Sequence, residues 1–356
     1  MNKRINSIDI LRGFAVVLMI FGHIYYRWPN IDNILFEEKF AQIFLLAPPI
    51  FLIISGMSFY IFITHMINNE LSKNKILIEV IKRAAFIFII SSIIQFIFGF
   101  TLNLEISSII YWSIFQVITF SMVISFLIPF LKQWIRLVLY LILVVMIHFI
   151  GYIIIFYDIT PLFIFLKGGS FPFIPWSSFF IFGICVSDLL LIHPNERINR
   201  IIWFFLFYGV GFLVIWIFLR TILSVSSILN FLKSTGIFLI LFSLCYYITD
   251  IRKTDFFIIN IIIQWGRVAF SIYYLQFAMI IFGLLIFPFI IGLLYIFIPF
   301  NFHFITIIIS FYFIMEIILI LWGKINYKFG IEWYMHLISH RSLFFKNNHS
   351  VDSIIK

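Results

Sequence analysis

The chain has 356 residues, 63% of them apolar and only 11% charged, with 50 phenylalanines, a mean hydropathy of +1.15 and a formal net charge of +9. A soluble globular chain carries about 25% charged residues, so this one cannot clothe a surface in water. The same figures exclude a disordered, collagen-like or coiled-coil chain and leave an all-α, polytopic integral membrane protein. Cys185 and Cys245 each lie inside an apolar run and make neither a disulfide framework nor a Cys-based metal cage.

A spanning helix needs about 20 mainly apolar residues. That rule predicts about ten spans: Ile8–Tyr26, Phe40–Thr64, Ala84–Phe100, Ile109–Leu131, Leu137–Tyr157, Phe173–Leu191, Ile201–Leu219, Ser234–Thr249, Val268–Phe287 and Phe304–Gly323. Pro48-Pro49 should kink or break the second span, because neither residue has a backbone donor. Phe256–Trp265 is too short to cross and reads as an interfacial or re-entrant helix feeding the ninth span. Residues 1–323 form the transmembrane domain. Residues 324–356 form a cytoplasmic tail whose aromatics (Tyr327, Phe329, Trp333, Tyr334) among basic residues suit an amphipathic interfacial helix with a flexible end.

Ten spans place both termini on one side. With the N-terminus in the cytosol, 19 of the 24 basic residues face inward, leaving Arg27, Lys39, Lys167, Arg220 and Lys233 outside. This bias follows the positive-inside rule and accounts for most of the net charge without nucleic acid. Lys3 and Arg4 ahead of an apolar stretch imitate a signal peptide, but the stretch carries Asp9, Arg12 and His23 and shows no small-residue cleavage site, so it reads as a mature span.

Ionisable side chains cost about 2.5–3.5 kcal/mol each at the centre of a membrane helix and therefore need a partner or a task. The first span holds three. Asp9 and Arg12 are three residues apart, hence neighbours on one face. Arg12 and His23 are eleven apart, which keeps them on one face about 16 Å apart along the axis. A guanidinium at the cytosolic mouth suits a phosphate or carboxylate, and a deeper neutral imidazole suits a base. An extended substrate with an anionic head and a reactive far end, such as an acyl-coenzyme A, matches that spacing. The blander account is an interfacial Asp9–Arg12 pair and a hydrogen-bonded interhelical His23.

Five segments carry a family resemblance: Arg4-Ile5-Asn6-Ser7-Ile8-Asp9-Ile10-Leu11-Arg12-Gly13 running on to Gly22-His23, Phe51–Ser58 with Ser55-Gly56, Lys82-Arg83-Ala84, Phe171–Trp176 followed by Phe182-Gly183, and Gly266–Gln276. In this order they resemble the heparan-α-glucosaminide N-acetyltransferase-like membrane proteins, and the Arg-x10-His element is similar to that of the acyltransferase family three proteins. The resemblance implies a membrane acyltransferase that moves an acetyl or other short acyl group from cytosolic acetyl-CoA or another acyl-CoA to a sugar amine or hydroxyl, without a metal. Two positions depart from the family. Gln276 stands where many relatives have His, and some eukaryotic relatives carry Asn at the position of His23.

On this reading His23 is the base and Asp9 orients Arg12. Arg12 anchors the coenzyme A phosphates with help from Lys82, Arg83 and Arg267. Gln116, at a family Gln/His position, orients the acceptor or the thioester carbonyl. Trp176, His148, Gln276 and Glu316 border the pocket, with Arg267 a partner for the Glu316 carboxyl. Each has a plainer alternative: interhelical hydrogen bonding for Gln116, His148 and Glu316, interfacial anchoring for Trp176, and orienting charge for the basic residues. The expected partners are acyl-CoA, a glycan or sugar acceptor and membrane lipids, and self-association is compatible. The Ile, Phe, Asn and Lys richness suits an AT-rich prokaryotic genome, hence a plasma membrane. The competing class is a secondary transporter, or a lipid- or glycan-binding membrane protein without catalysis. Transporters commonly show two inverted repeats with broken helices, whereas only one strongly broken span is evident here.

Overall fold

The computed structural model describes residues 5–27, 43–101, 113–157, 171–192, 198–222, 226–254, 256–280 and 303–340. The described residues are helical and contain no strand. In chain order the helices are α1 (Asn6–Arg27), α2 (Ala47–Asn68), α3 (Lys73–Thr101), α4 (Ile114–Ile124, continued by a 3₁₀ turn at Ser125–Phe130), α5 (Gln133–Tyr157) and α6 (Phe173–Ile192). They continue with α7 (Ile198–Leu219), α8 (Ser226–Tyr246, continued by a π turn at Tyr247–Ile251) and α9 (Phe257–Arg267). Then come α10 (Ala269–Ile280), α11 (His303–Gly323) and α12 (Ile331–His340). Among the described residues six helices are long and apolar enough to cross a membrane, and a bent pair, α9 with α10, makes a seventh. This is a multi-pass membrane protein.

The chain divides into two compact units, Met1–Leu11 with Pro48–Asp255 and Arg12–Ala47 with Phe256–Lys356. The first unit is built on close helix crossings. A methyl group on Gly56 of α2 would overlap the Phe180 carbonyl of α6, and one on Gly183 of α6 would overlap the Ile53 carbonyl of α2. Only glycine lets these backbones touch, the usual solution where lipid supplies no hydrophobic drive between helices. The Gly56 and Gly183 positions, picked out in sequence as family motifs, are thus packing positions.

An ion pair locks three helices of this unit. The Asp188 carboxylate of α6, with no exposed surface, accepts from Tyr60 Oη of α2 (2.5 Å) and Tyr140 Oη of α5 (3.2 Å). Arg136 of α5 donates to it through Nε and Nη2, both at 2.7 Å. Outward, α5 presents Leu141, Val145 and Phe149, a face suited to lipid tails. The start of α1 belongs to the same unit: Asn6 N and Ser7 N donate to the two carboxylate oxygens of Asp250 at 3.0 and 2.9 Å. Those N–H groups have no partner inside the helix, and a carboxylate also suits the positive helix end.

The double proline falls in the first turn of α2, since the chain turns at Leu45-Leu46 and the helix starts at Ala47. A missing N–H costs nothing there, so the break comes ahead of the prolines and the helix continues without interruption to Asn68. Residues 40–42, 109–112 and 281–287, parts of three expected spans, lie outside the described residues. Phe257–Arg267 forms the short helix expected before the ninth span, and the chain turns by 87° between α9 and α10.

Candidate functional site

The second unit gathers the rest of α1 with α9, α10, α11 and α12. Gly13 of α1 sits so close to α9 that a methyl group there would overlap the Ile262 carbonyl. That approach brings Arg12 to the end of α9, where its Nη1 donates to the Gly266 carbonyl at 3.3 Å. Helix C-termini leave such carbonyls unpaired, and a cation there also complements the helix dipole. Arg267, exposed, is the next residue along the chain. The Arg12 guanidinium thus lies at the bend between α9 and α10, and Arg267 is the last residue of α9.

His23 lies farther along the same unbroken helix, so the spacing of about 16 Å from Arg12 follows directly from the helical rise. Its ring is half-buried and stands against α10: the Phe277 centroid is 4.8 Å away and the Tyr273 centroid 6.3 Å away, the latter edge-on. Gln276 on the same helix has no exposed surface, and neither of its amide atoms has a hydrogen-bond partner among the described residues. A fully buried amide without partners costs free energy, and this one lies a single residue from the ring that touches His23.

Glu316 of α11 accepts from Trp265 Nε1 at 2.6 Å. The partner expected for it, Arg267, forms no ion pair with it among the described residues. An indole N–H satisfies the carboxyl without the cost of burying a second charge. Glu316 and Trp265 line a groove of about 370 Å³ with Val17, Ile261, Ile262, Tyr312 and Phe313. The Tyr312 hydroxyl closes one wall by donating to the Val17 carbonyl at 2.7 Å. Val17 is about 120° around α1 from His23, so this groove, and Glu316 with it, opens on a different side of the helix from the imidazole.

The other expected site residues belong to the first unit. Asp9 is buried. Lys82 pairs with Glu79 at 3.0 Å, and the Arg83 guanidinium lies 3.4 Å from the Phe62 ring centroid. Gln116 closes a reciprocal cap with Ser113 at the start of α4 and donates to Gln95 at 3.4 Å. Trp176 stands in an aromatic cluster with Phe171 and Phe179. His148 is buried edge-on to Phe231, with neither ring nitrogen partnered among the described residues. Asp188, Asp250 and Glu332 escape the sequence criteria. For Asp188 the signal was present, since it lies inside the apolar run of α6 and meets the same intramembrane cost as Glu316.

Residues 4–220 match the family described as heparan-alpha-glucosaminide N-acetyltransferase, catalytic. The chain belongs to this family. The membership makes it a member of a membrane acetyltransferase family and covers Asp9, Arg12 and His23, while α9 to α12 lie beyond the matched stretch. No curated protein matches the chain. Among the described residues no group of three or more His, Cys, Asp or Glu side chains is placed to hold a metal ion.

Proposed function

We propose that the protein transfers an acetyl or other short acyl group from cytosolic acyl-CoA to an amine or hydroxyl of a sugar acceptor. The supporting observation is the pairing of family membership with the layout around α1: Arg12 bonded to the Gly266 carbonyl at the end of α9, where Arg267 follows, and an imidazole three turns farther along α1. Arg12 and Arg267 bind the phosphates of the donor. The extended arm of the coenzyme then runs along α1 and brings its thioester toward His23.

The acceptor nitrogen or oxygen attacks the thioester carbonyl while His23 takes the proton it loses. The tetrahedral intermediate collapses, the C–S bond breaks, and the thiolate leaves with a proton returned by the imidazolium. Gln276 supplies an amide to the acceptor or to the carbonyl oxygen. Lys82 and Arg83 are already engaged with Glu79 and Phe62. Gln116 holds the start of α4 through its cap with Ser113, and Asp9 lies in the first turn of α1. The proposed topology is ten spans with both termini in the cytosol, in a prokaryotic plasma membrane, on the strength of the basic-residue bias.

The test is acyl transfer by purified protein in nanodiscs, comparing His23→Ala and Arg12→Ala with the parent. His23→Ala should lower turnover on the order of 10²- to 10⁴-fold, the span of general-base contributions. Arg12→Ala should raise KM for acyl-CoA with a smaller change in kcat. Unchanged turnover in both variants would refute the assignment.

A further inference from the structure

The first turns of α10 and α12 are joined by contacts that the proposed chemistry leaves unused. Helix α10 follows Val268, whose side chain has no oxygen with which to cap it. The N–H groups of Phe270 and Ser271, orphaned at any helix start, donate instead to Oε1 of Glu332 at 2.6 and 3.2 Å. Ser271 Oγ donates to Glu332 Oε2 at 2.5 Å and accepts from Ile331 N at 2.8 Å. A residue some 60 positions downstream thus performs the work of an N-cap.

The connection that delivers Glu332 is over-determined. Asn326, Tyr327 and Phe329 all adopt left-handed backbone conformations (φ 55°, 53° and 68°), which non-glycine residues keep only where surroundings hold them. Trp322 Nε1 donates to the Lys328 carbonyl at 2.7 Å, and Gly330 passes so near the Trp322 ring that a methyl group would stand 2.7 Å from it. The clamp closes two residues ahead of Tyr273 and one further turn ahead of Phe277, the two rings against His23.

We infer that Glu332 is a positioning residue for His23. Through the first turn of α10 it sets where Tyr273 and Phe277 stand, and these set the imidazole. Without the clamp, α10 starts from an uncapped turn just past an 87° bend, where helix ends fray. The inference rests on the proposed role of His23, and its test is arranged so that the two fail separately.

In the full chain in nanodiscs, diethyl pyrocarbonate modification of His23 is followed by peptide mass spectrometry, alongside hydrogen exchange across 269–280. Glu332→Ala should speed both by about threefold or more, as local opening of a single turn would. Glu332→Gln keeps a carbonyl acceptor for Phe270 N and Ser271 N and should stay near the parent, with Ser271→Ala between the two. Faster exchange in α10 with unchanged His23 modification would mean a merely structural cap and would overturn the proposal, as would no change in either. Kinetics adds an independent arm. Glu332→Ala should lower kcat on the order of tenfold or more, leave KM for acyl-CoA unchanged, and have no further effect in a His23→Ala background. If His23→Ala leaves turnover intact, the acyltransfer reading falls, while the modification experiment still decides whether Glu332 governs that ring.

Discussion

Replacing Asp188 with Asn removes a negative charge that four donors surround. Arg136 would then sit beside a neutral amide with only the Leu131 carbonyl (2.7 Å) as a further acceptor. Breaking a buried pair by removing one partner costs about 3–5 kcal/mol, so Asp188→Asn should lower thermal stability in detergent sharply. Tyr140→Phe, which loses the longest of the four contacts, should cost less. A second titratable residue gives a pH signature. Burial pushes the Glu332 carboxyl above the ordinary range, against the pull of its hydrogen bonds from Ser271 and the α10 backbone. A raised pKa in the docked state means that docking is fully present below the ordinary carboxyl pKa, about 4.3, and weakens as pH rises through the raised value. Proteolysis within 324–340 should therefore quicken with rising pH in the parent and stay flat in Glu332→Gln.

At the level of helices, the apolar runs mark where chain crosses membrane, because every backbone group in lipid must be satisfied internally and a helix does that over about 20 residues. The ends and contacts are harder to read. Pro48-Pro49 looks like a break within a span when only the lack of donors is considered, and becomes a start once the turn at Leu45-Leu46 is known. The Asp188 cluster joins residues 48 to 128 positions apart, and Glu332 reaches back about 60, so no local pattern announces either. The spacing of Arg12 and His23 was legible because a single helix carries both. The glycine motifs were legible as signals but not as packing. That distinction predicts opposite outcomes for one substitution: Gly183→Ala should disrupt the α2–α6 crossing, because backbone cannot yield. Gly211→Ala, with nothing within 4 Å of the new methyl, should be neutral or slightly stabilising, since alanine is the better helix former. Detergent-extracted yield and melting temperature of the two variants decide it.

For the molecule as a whole, the charge distribution makes an orientation measurable. With 19 basic residues assigned inside, Ser72→Cys between α2 and α3 should resist a membrane-impermeant maleimide in intact cells, and Thr221→Cys at the end of α7 should react. The reverse pattern would invert the topology and put Arg12 on the side of the membrane away from cytosolic acyl-CoA.

The division of the chain also has a consequence for biogenesis. The partners of α1 in the second unit are made last: Arg12 meets a carbonyl 254 positions downstream and Val17 a hydroxyl 295 downstream. At about 5–20 residues per second, the ribosome needs on the order of 10–60 s between them. Throughout that interval Arg12 and His23 lack the helices that later contact them. The newborn chain thus has a window in which its N-terminal segment depends on the insertion machinery, and shortening translation time should favour assembly over degradation.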